Sequence, residues 1–254
     1  MIAALAGGPE NVPGWRRFVP AGLRRRLRPL RKAFVDWRRR RPPRLGALRR
    51  TTPIDANWGF ERGTPIDRVY IEQFLEAHAD DVRGRVLEIA APDYTNRFGR
   101  GVERVDILMA TEGNPQATIV ADLVDAPQIP DASFDCAIVT QTLQFIYDVR
   151  AALATLHRVL APGGVLLATV PGIAKISPPE DDVFGDWWRF TSRSLRRLGE
   201  EAFGPGNVEV QAFGNVLSAA GFLYGLAASD LRREELDHRD PLYEVTIGLR
   251  GVKR

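Results

Sequence analysis

From about residue 57 onward the apolar positions of this chain fall into short, nearly continuous runs separated by stretches of helical spacing. Arg85-Val86-Leu87-Glu88-Ile89-Ala90 has few polar positions, which predicts a strand covered on both faces. Runs of the same kind recur at about Arg104 to Leu108, Ala117 to Val120, Phe134 to Thr140, Val165 to Val170, Val208 to Phe213 and Tyr243 to Leu249, so seven strands are expected. Between them lie helices. Thr64-Pro65-Ile66-Asp67 supplies a capping threonine, a proline and an acid ahead of Val69, Tyr70, Phe74 and Leu75, predicting a helix over about 65–80 with Thr64 as its N-cap. Ala152, Leu153, Leu156 and Leu160 mark a second helix over 149–160, and a third opens on Thr191 and runs to Phe203. Strand alternating with helix argues an α/β fold with a mostly parallel sheet covered on both sides.

The first fifty residues read differently. Leu23, Leu27, Leu30, Phe34 and Trp37 recur at intervals of four, three, four and three, one helical stripe, with arginines over most of the rest and Pro29 set to kink or split the helix. Of 35 basic residues in the chain, 15 lie in residues 1–50 against Glu10 and Asp36, a charge of +13; the remaining 20 basic and 30 acidic residues give 51–254 a charge of −10. The division expected is a basic amphipathic arm and linker, 1–56, joined to a domain, 57–254. An arginine face opposite a Leu/Phe/Trp face over residues 21–41 suits an anionic membrane surface. Nucleic acid is the less favoured partner, since phosphate contacts need positive charge that the acidic domain lacks.

Composition narrows the class without changing it. With 44% hydrophobic and 26% charged residues in 254, the chain is neither disordered nor membrane-embedded as a whole. The lone Cys136 excludes an intrachain disulfide, suits a reducing cytoplasm and is placed as a buried core residue. No apolar stretch reaches the roughly 20 residues of a spanning helix. The three histidines form no metal pattern.

In parallel sheets, ligands sit beyond the carboxyl ends of the strands, where the topology reverses. Glu88 and the segment Ala90 to Tyr94 lie there for the first strand, Asp106 for the second, and Asp122-Leu123 after the third. An acid ending the second strand can accept two ribose hydroxyls and one after the third can meet an adenine amino group, although aspartate also favours plain turns.

The order of these features resembles the class I S-adenosylmethionine-dependent methyltransferases, in particular the branch called methyltransferase type 11. The resemblance rests on RVLEI at 85–89, ADLVDAPQIPDASFDCAIVTQTLQFIYD at 121–148, LHRVLAPGGVLLATVPG at 156–172 and DWWRFTSRSLRRL at 186–198. It implies a Rossmann-like seven-stranded sheet with the last strand antiparallel, S-adenosylmethionine as cofactor, and methyl transfer as the activity. Carried over, Glu88, Ala90 and Tyr94 face the methionine part, Asp106 the ribose, Asp122 and Leu123 the adenine, and Thr140 and Gln141 the floor. Acceptor would enter between Gln141, Gln144 and the segment Pro171 to Phe190. One departure stands out: where the family carries E-x-G-x-G-x-G, this chain reads Glu88-Ile89-Ala90-Ala91-Pro92-Asp93, with no glycine to let the backbone approach a cofactor.

The reading is therefore a cytoplasmic methyltransferase, peripheral to the membrane, acting by O-methylation on a small-molecule or glycan-like acceptor. Asp186, Gln141, Gln144 and Arg189 are the candidates for catalysis, with Asp186, Trp187, Trp188 and Arg189 on a segment that shapes the acceptor pocket. The rival is a non-catalytic scaffold that keeps the fold, has lost the cofactor with the glycines, and is recruited through its arm.

Overall fold

The computed structural model describes residues 46–178 and 184–254. The expected helix within residues 21–41 lies outside the described residues. The unit Thr51–Arg254 is built on one seven-stranded sheet of order β3-β2-β1-β4-β5-β7-β6. Its strands are β1 (Gly84–Ile89), β2 (Val102–Met109), β3 (Ile119–Val120), β4 (Phe134–Thr140), β5 (Leu160–Pro171), β6 (Val208–Phe213) and β7 (Thr246–Val252). Strand β7 runs antiparallel to both neighbours while β1 to β5 are parallel, which is the Rossmann-like methyltransferase arrangement.

Among the described residues six α-helices flank the sheet: α1 (Ile66–Ala77), α2 (Asp93–Phe98), α3 (Val149–Val159), α4 (Ser192–Phe203), α5 (Val216–Leu223) and α6 (Arg233–Asp237). Alternation along β4 shows why both sheet faces need cover. Ala137 and Val139 enter one apolar cluster with Leu153 and Leu156 of α3 and Leu195 and Phe203 of α4. Cys136 and Ile138 enter the other, with Tyr70 and Phe74 of α1 and Phe222 of α5. Burial pushes the Cys136 thiol pKa up, which keeps it an inert core group.

Three local expectations are corrected. Thr64 does not cap α1: its carbonyl accepts from Ala228 N–H at 2.8 Å, Pro65 forms a bridge to Ala227, and the N-cap is Pro65 without a side-chain bond. Strand β7 begins at Thr246, three residues later than expected, because Tyr243 N–H closes a turn onto Asp240 C=O. Strand β2 runs to Met109, one residue beyond the expected Leu108. The Thr191 cap holds as expected, its hydroxyl accepting from Ser194 N–H. Sheet order reverses between β1 and β4, which lie side by side and diverge to β2 and β5. A ligand site is set there by topology alone.

Candidate active site

A cavity of about 1030 Å³ opens over the carboxyl ends of β1, β2 and β4. It gathers Glu88, Ala90, Tyr94, Asp122, Leu123, Thr140, Gln141, Gln144, Asp186 and Arg189, every expected site residue except Asp106. Four non-glycine residues among those described hold a left-handed backbone, and three of them line this cavity: Trp58 (φ 53°), Ala90 (φ 70°) and Gln141 (φ 47°). Such conformations persist only where surrounding structure enforces them, and they cluster at functional sites.

At the end of β1, Glu88 is buried and its two oxygens accept the Tyr94 and Thr95 backbone N–H groups at 2.9 and 2.8 Å. It thereby caps α2 from the strand. Burial raises its pKa, and these hydrogen bonds oppose the rise. Ala90 occupies the place of the first family glycine in a glycine-like conformation; Asn114 Nδ2 donates to its carbonyl at 2.7 Å. Tyr94 accepts at its hydroxyl from Arg68 Nη1 at 2.6 Å, and burial pushes its own pKa up to about 12.

Asp106 belongs elsewhere. Because β2 continues three residues past it, its carboxylate faces the middle of the sheet, 1% exposed, where it pairs with Arg85 at 2.8 Å and Arg104 at 2.9 Å and accepts from the Thr118 hydroxyl at 3.1 Å. It lines a separate, smaller cavity of about 360 Å³. The expected ribose contact is replaced by a structural ion-pair cluster. The end of β2 offers the large cavity Leu108, Met109 and Ala110 instead of an acid.

Asp122 stands exposed at the rim, one oxygen accepting Val124 N–H at 2.9 Å in a tight turn, while Leu123 is buried beneath. Thr140 and Gln141 also line the cavity, with Gln144 Nε2 donating to Gln141 C=O at 2.9 Å. Gln144 Oε1 is buried without a partner.

Asp186 and Arg189 are not arranged as a base and its helper. Arg189 Nη2 donates to Asp186 at 2.8 Å, Ser177 N–H donates to the same carboxylate at 2.8 Å, and the guanidinium also reaches the carbonyls of Ala174 and Lys175. Burial would push the Asp186 pKa up, but these hydrogen bonds outweigh it and hold the group below the usual carboxylate range. The pair clamps 174–177 to 186–189, fixing one cavity wall. Trp187 and Trp188 add backbone bonds to Gln144 C=O, and Trp187 packs edge-on to Tyr147 at 5.2 Å.

Sequence reasoning missed Trp58, Phe60, Asp67, Arg68 and Tyr147, all of which line the cavity, as does Lys175 within the segment Pro171 to Phe190. Lys175 Nζ sits 3.2 Å from the centre of the Trp58 ring, a cation–π contact between segments more than a hundred residues apart. Asp67 had the signature of a helix-capping acid and does accept Arg68 N–H in the first turn of α1, at 2.8 Å. Burial nevertheless pushes its pKa up to about 6.

The lining fits S-adenosylmethionine in volume, since small-molecule sites span roughly 300–1,000 Å³, and in its apolar Leu123 and Met109 beside the Asp122 carboxylate. The missing ribose acid and the Cβ of Ala90 are the two points where it departs from the family pattern.

Residues 68–168 match the family described as "Methyltransferase domain", type 11. Over 83 residues the chain is 30% identical to "Probable polyketide synthase 5" of Dictyostelium discoideum, a stretch that is 32% of this chain and 3% of that protein. The chain thus spans a small fraction of that relative's length. A SAM-dependent methyltransferase from Archaeoglobus fulgidus shares the fold with TM-score 0.50 at 12% identity, over 78% of this chain and 100% of that one. A Thermotoga maritima protein described as a possible histamine N-methyltransferase is similar at TM-score 0.46 and 17% identity, over 73% of this chain and 92% of its own. Residues 68–168 thus match the methyltransferase family, and the sheet has the fold of the class I S-adenosylmethionine-dependent methyltransferases.

Proposed function

We propose that the cavity binds S-adenosylmethionine across the ends of β1 and β4 and delivers its methyl group to an oxygen of a small-molecule or glycan-like acceptor. The observation that carries this is that one continuous void joins the strand-end loop at Ala90 to a mouth bearing Tyr147, Phe184 and Trp187. Glu88, through the turn it holds, and Tyr94 border the methionine end; Asp122 and Leu123 border the adenine; Thr140 and Gln141 support the centre.

When bound, the cofactor supplies an electrophilic methyl on a sulfonium. The chain's part would be to hold an acceptor oxygen in line with the position that this methyl would occupy. Such positioning supplies much of the acceleration in a displacement of this kind. Exposed aromatic rings at the mouth offer flat apolar faces to a ring-shaped acceptor. Gln141, in its left-handed conformation at the floor, is placed to orient a hydroxyl. Asp186, held ionised by Arg189, contributes through the wall it fixes.

The basic arm is proposed to bring the enzyme to anionic membrane surfaces from the cytoplasm; no helix among the described residues is long and apolar enough to cross a membrane. Loss of binding to phosphatidylserine vesicles on deletion of residues 1–50 is the expected result, and retained binding refutes this part. For the site, titration calorimetry with S-adenosylmethionine and S-adenosylhomocysteine is decisive. Micromolar affinity for both is expected, and no binding of either by a folded protein would leave the scaffold reading in its place.

A further inference from the structure

Asp67 and Arg68 stand next to each other in the first turn of α1, and both line the cavity. We propose that this pair is the subsite for an α-amino acid zwitterion, namely the methionine end of the cofactor, with the Arg68 guanidinium taking the carboxylate and the Asp67 carboxylate taking the ammonium. The proposal rests on the reading of the cavity as the cofactor site.

Position comes first. Arg68 Nη1 donates to the Tyr94 hydroxyl at 2.6 Å and its guanidinium carbon lies 5.5 Å from the centre of that ring. Tyr94 is in turn fixed by Glu88 at the end of β1. This chain of contacts anchors the guanidinium at the β1 end of the void. Only one of its five N–H donors is spent on Tyr94.

The alternatives are closed. A carboxylate commonly seeks backbone N–H groups at a helix start. At α2, however, the N–H groups of Tyr94 and Thr95 are already taken by Glu88, and Asp93 adds a like charge in the same turn. An anion at this end of the cavity is therefore better met by a side-chain cation, and Arg68 is there. Glu88, both of whose oxygens accept backbone N–H groups, is poorly placed to receive an ammonium.

Asp67 has the opposite need. It accepts the Arg68 backbone N–H, forms no ion pair among the described residues, and is penalised by burial. A carboxylate at a cavity wall that is not ion-paired among the described residues gains from a ligand that brings an ammonium. Carboxylate and ammonium on a single carbon match neighbouring guanidinium and carboxylate on a single helical turn.

The test compares S-adenosylhomocysteine with 5′-methylthioadenosine, which keeps the nucleoside and sulfur and lacks the amino-acid end. Arg68→Ala should weaken the former by about tenfold to a hundredfold and leave the latter within about threefold, the loss expected for charge-assisted hydrogen bonds. Asp67→Asn should show the same selectivity, Arg68→Lys should retain part of the affinity, and Tyr94→Phe should cost less than Arg68→Ala. Thermal melts of each variant confirm folding. If the wild type binds S-adenosylhomocysteine no tighter than methylthioadenosine, or if the variants lose both ligands alike, the zwitterion subsite is refuted while the cofactor site stands. If the folded wild type binds neither ligand, the cofactor reading falls and this inference with it.

Discussion

Replacing Asp106 by alanine separates a structural carboxylate from a cofactor ligand. In the wild type this side chain is 1% exposed and is held by Arg85, Arg104 and the Thr118 hydroxyl. Removing one member of a fully buried ion pair costs about 3–5 kcal/mol, chiefly because the remaining charge is stranded. Here the stranded charges are not buried: Arg85 and Arg104 side chains are 39% and 62% exposed and regain water. The cost should therefore fall to about 2–3 kcal/mol, from the lost charge-assisted bonds and a Thr118 hydroxyl left short of a partner. With a urea m-value of about 2–3 kcal/mol/M, the unfolding midpoint should drop by roughly 1 M with m unchanged. The pH dependence carries a second signature. Burial acts to raise the Asp106 pKa, but the hydrogen bonds from Arg85, Arg104 and Thr118 win and hold it below its ordinary 3.8. A depressed carboxylate pKa stabilises the fold above the unfolded value and loses that contribution as pH falls through the folded one. The difference between wild type and Asp106→Ala should accordingly be constant near neutrality and shrink below pH 3.8. Cofactor affinity of the folded variant should be unchanged. An unaltered midpoint together with lost S-adenosylhomocysteine binding would show that the carboxylate serves the ribose after all.

Three further changes test the site. Ala90→Gly relieves a left-handed alanine, at φ 70°, and after the added unfolded-state entropy of glycine should stabilise the fold by about 0.5–1 kcal/mol in thermal melts; a destabilised variant refutes the strain. Asp67→Asn removes a carboxylate whose folded pKa is raised from 3.8 to about 6, so the wild type loses stability as pH rises through that interval and the loss is complete above it. The asparagine variant should gain up to about 2–3 kcal/mol above pH 6 and nothing below pH 3.8, measured by denaturation at both extremes. Arg189→Ala unties 174–177 from 186–189 and should raise KM for the acceptor about tenfold or more while leaving cofactor affinity intact; equal loss of both would place Arg189 in the cofactor site.

Fold and site were unequally legible from sequence. Buried strands such as VLEI at 86–89 and the Thr191 cap depend on neighbours within a few residues, so period and capping chemistry identify them. Asp106 shows where that logic stops. The sequence places an acid in the second strand, but whether it lies at the end or three residues short depends on how far β2 pairs with β1, and the Asp106-to-Leu87 register is a tertiary fact. The opposite wall was legible only in part: the segment Pro171 to Phe190, with Lys175 and Trp187, was expected to border the site, whereas Trp58 joins it from across the chain and has no local pattern separating a cavity wall from a loop packed on a sheet. Arg68 is likewise an ordinary surface residue of a helix until Tyr94 is seen beside it.

The glycine-free loop resolves along the same lines. Glycine is useful at such a turn because it reaches positive φ without strain, at the cost of a more flexible unfolded chain. Here Ala90 is held at φ 70° by its surroundings: its N–H donates to Leu108 C=O at 3.2 Å, its carbonyl accepts from Asn114 at 2.7 Å, and Ala91 N–H turns back to Ile89 C=O at 2.9 Å. Pro92 then fixes the entry to α2, whose first turn Glu88 caps from the strand. Rigidity built from neighbours thus replaces freedom built into the residue. A loop of this kind cannot adapt to a ligand by changing its backbone, so recognition at the β1 end passes to side chains that approach from outside the loop, and Arg68 and Asp67 on α1 are placed to provide it.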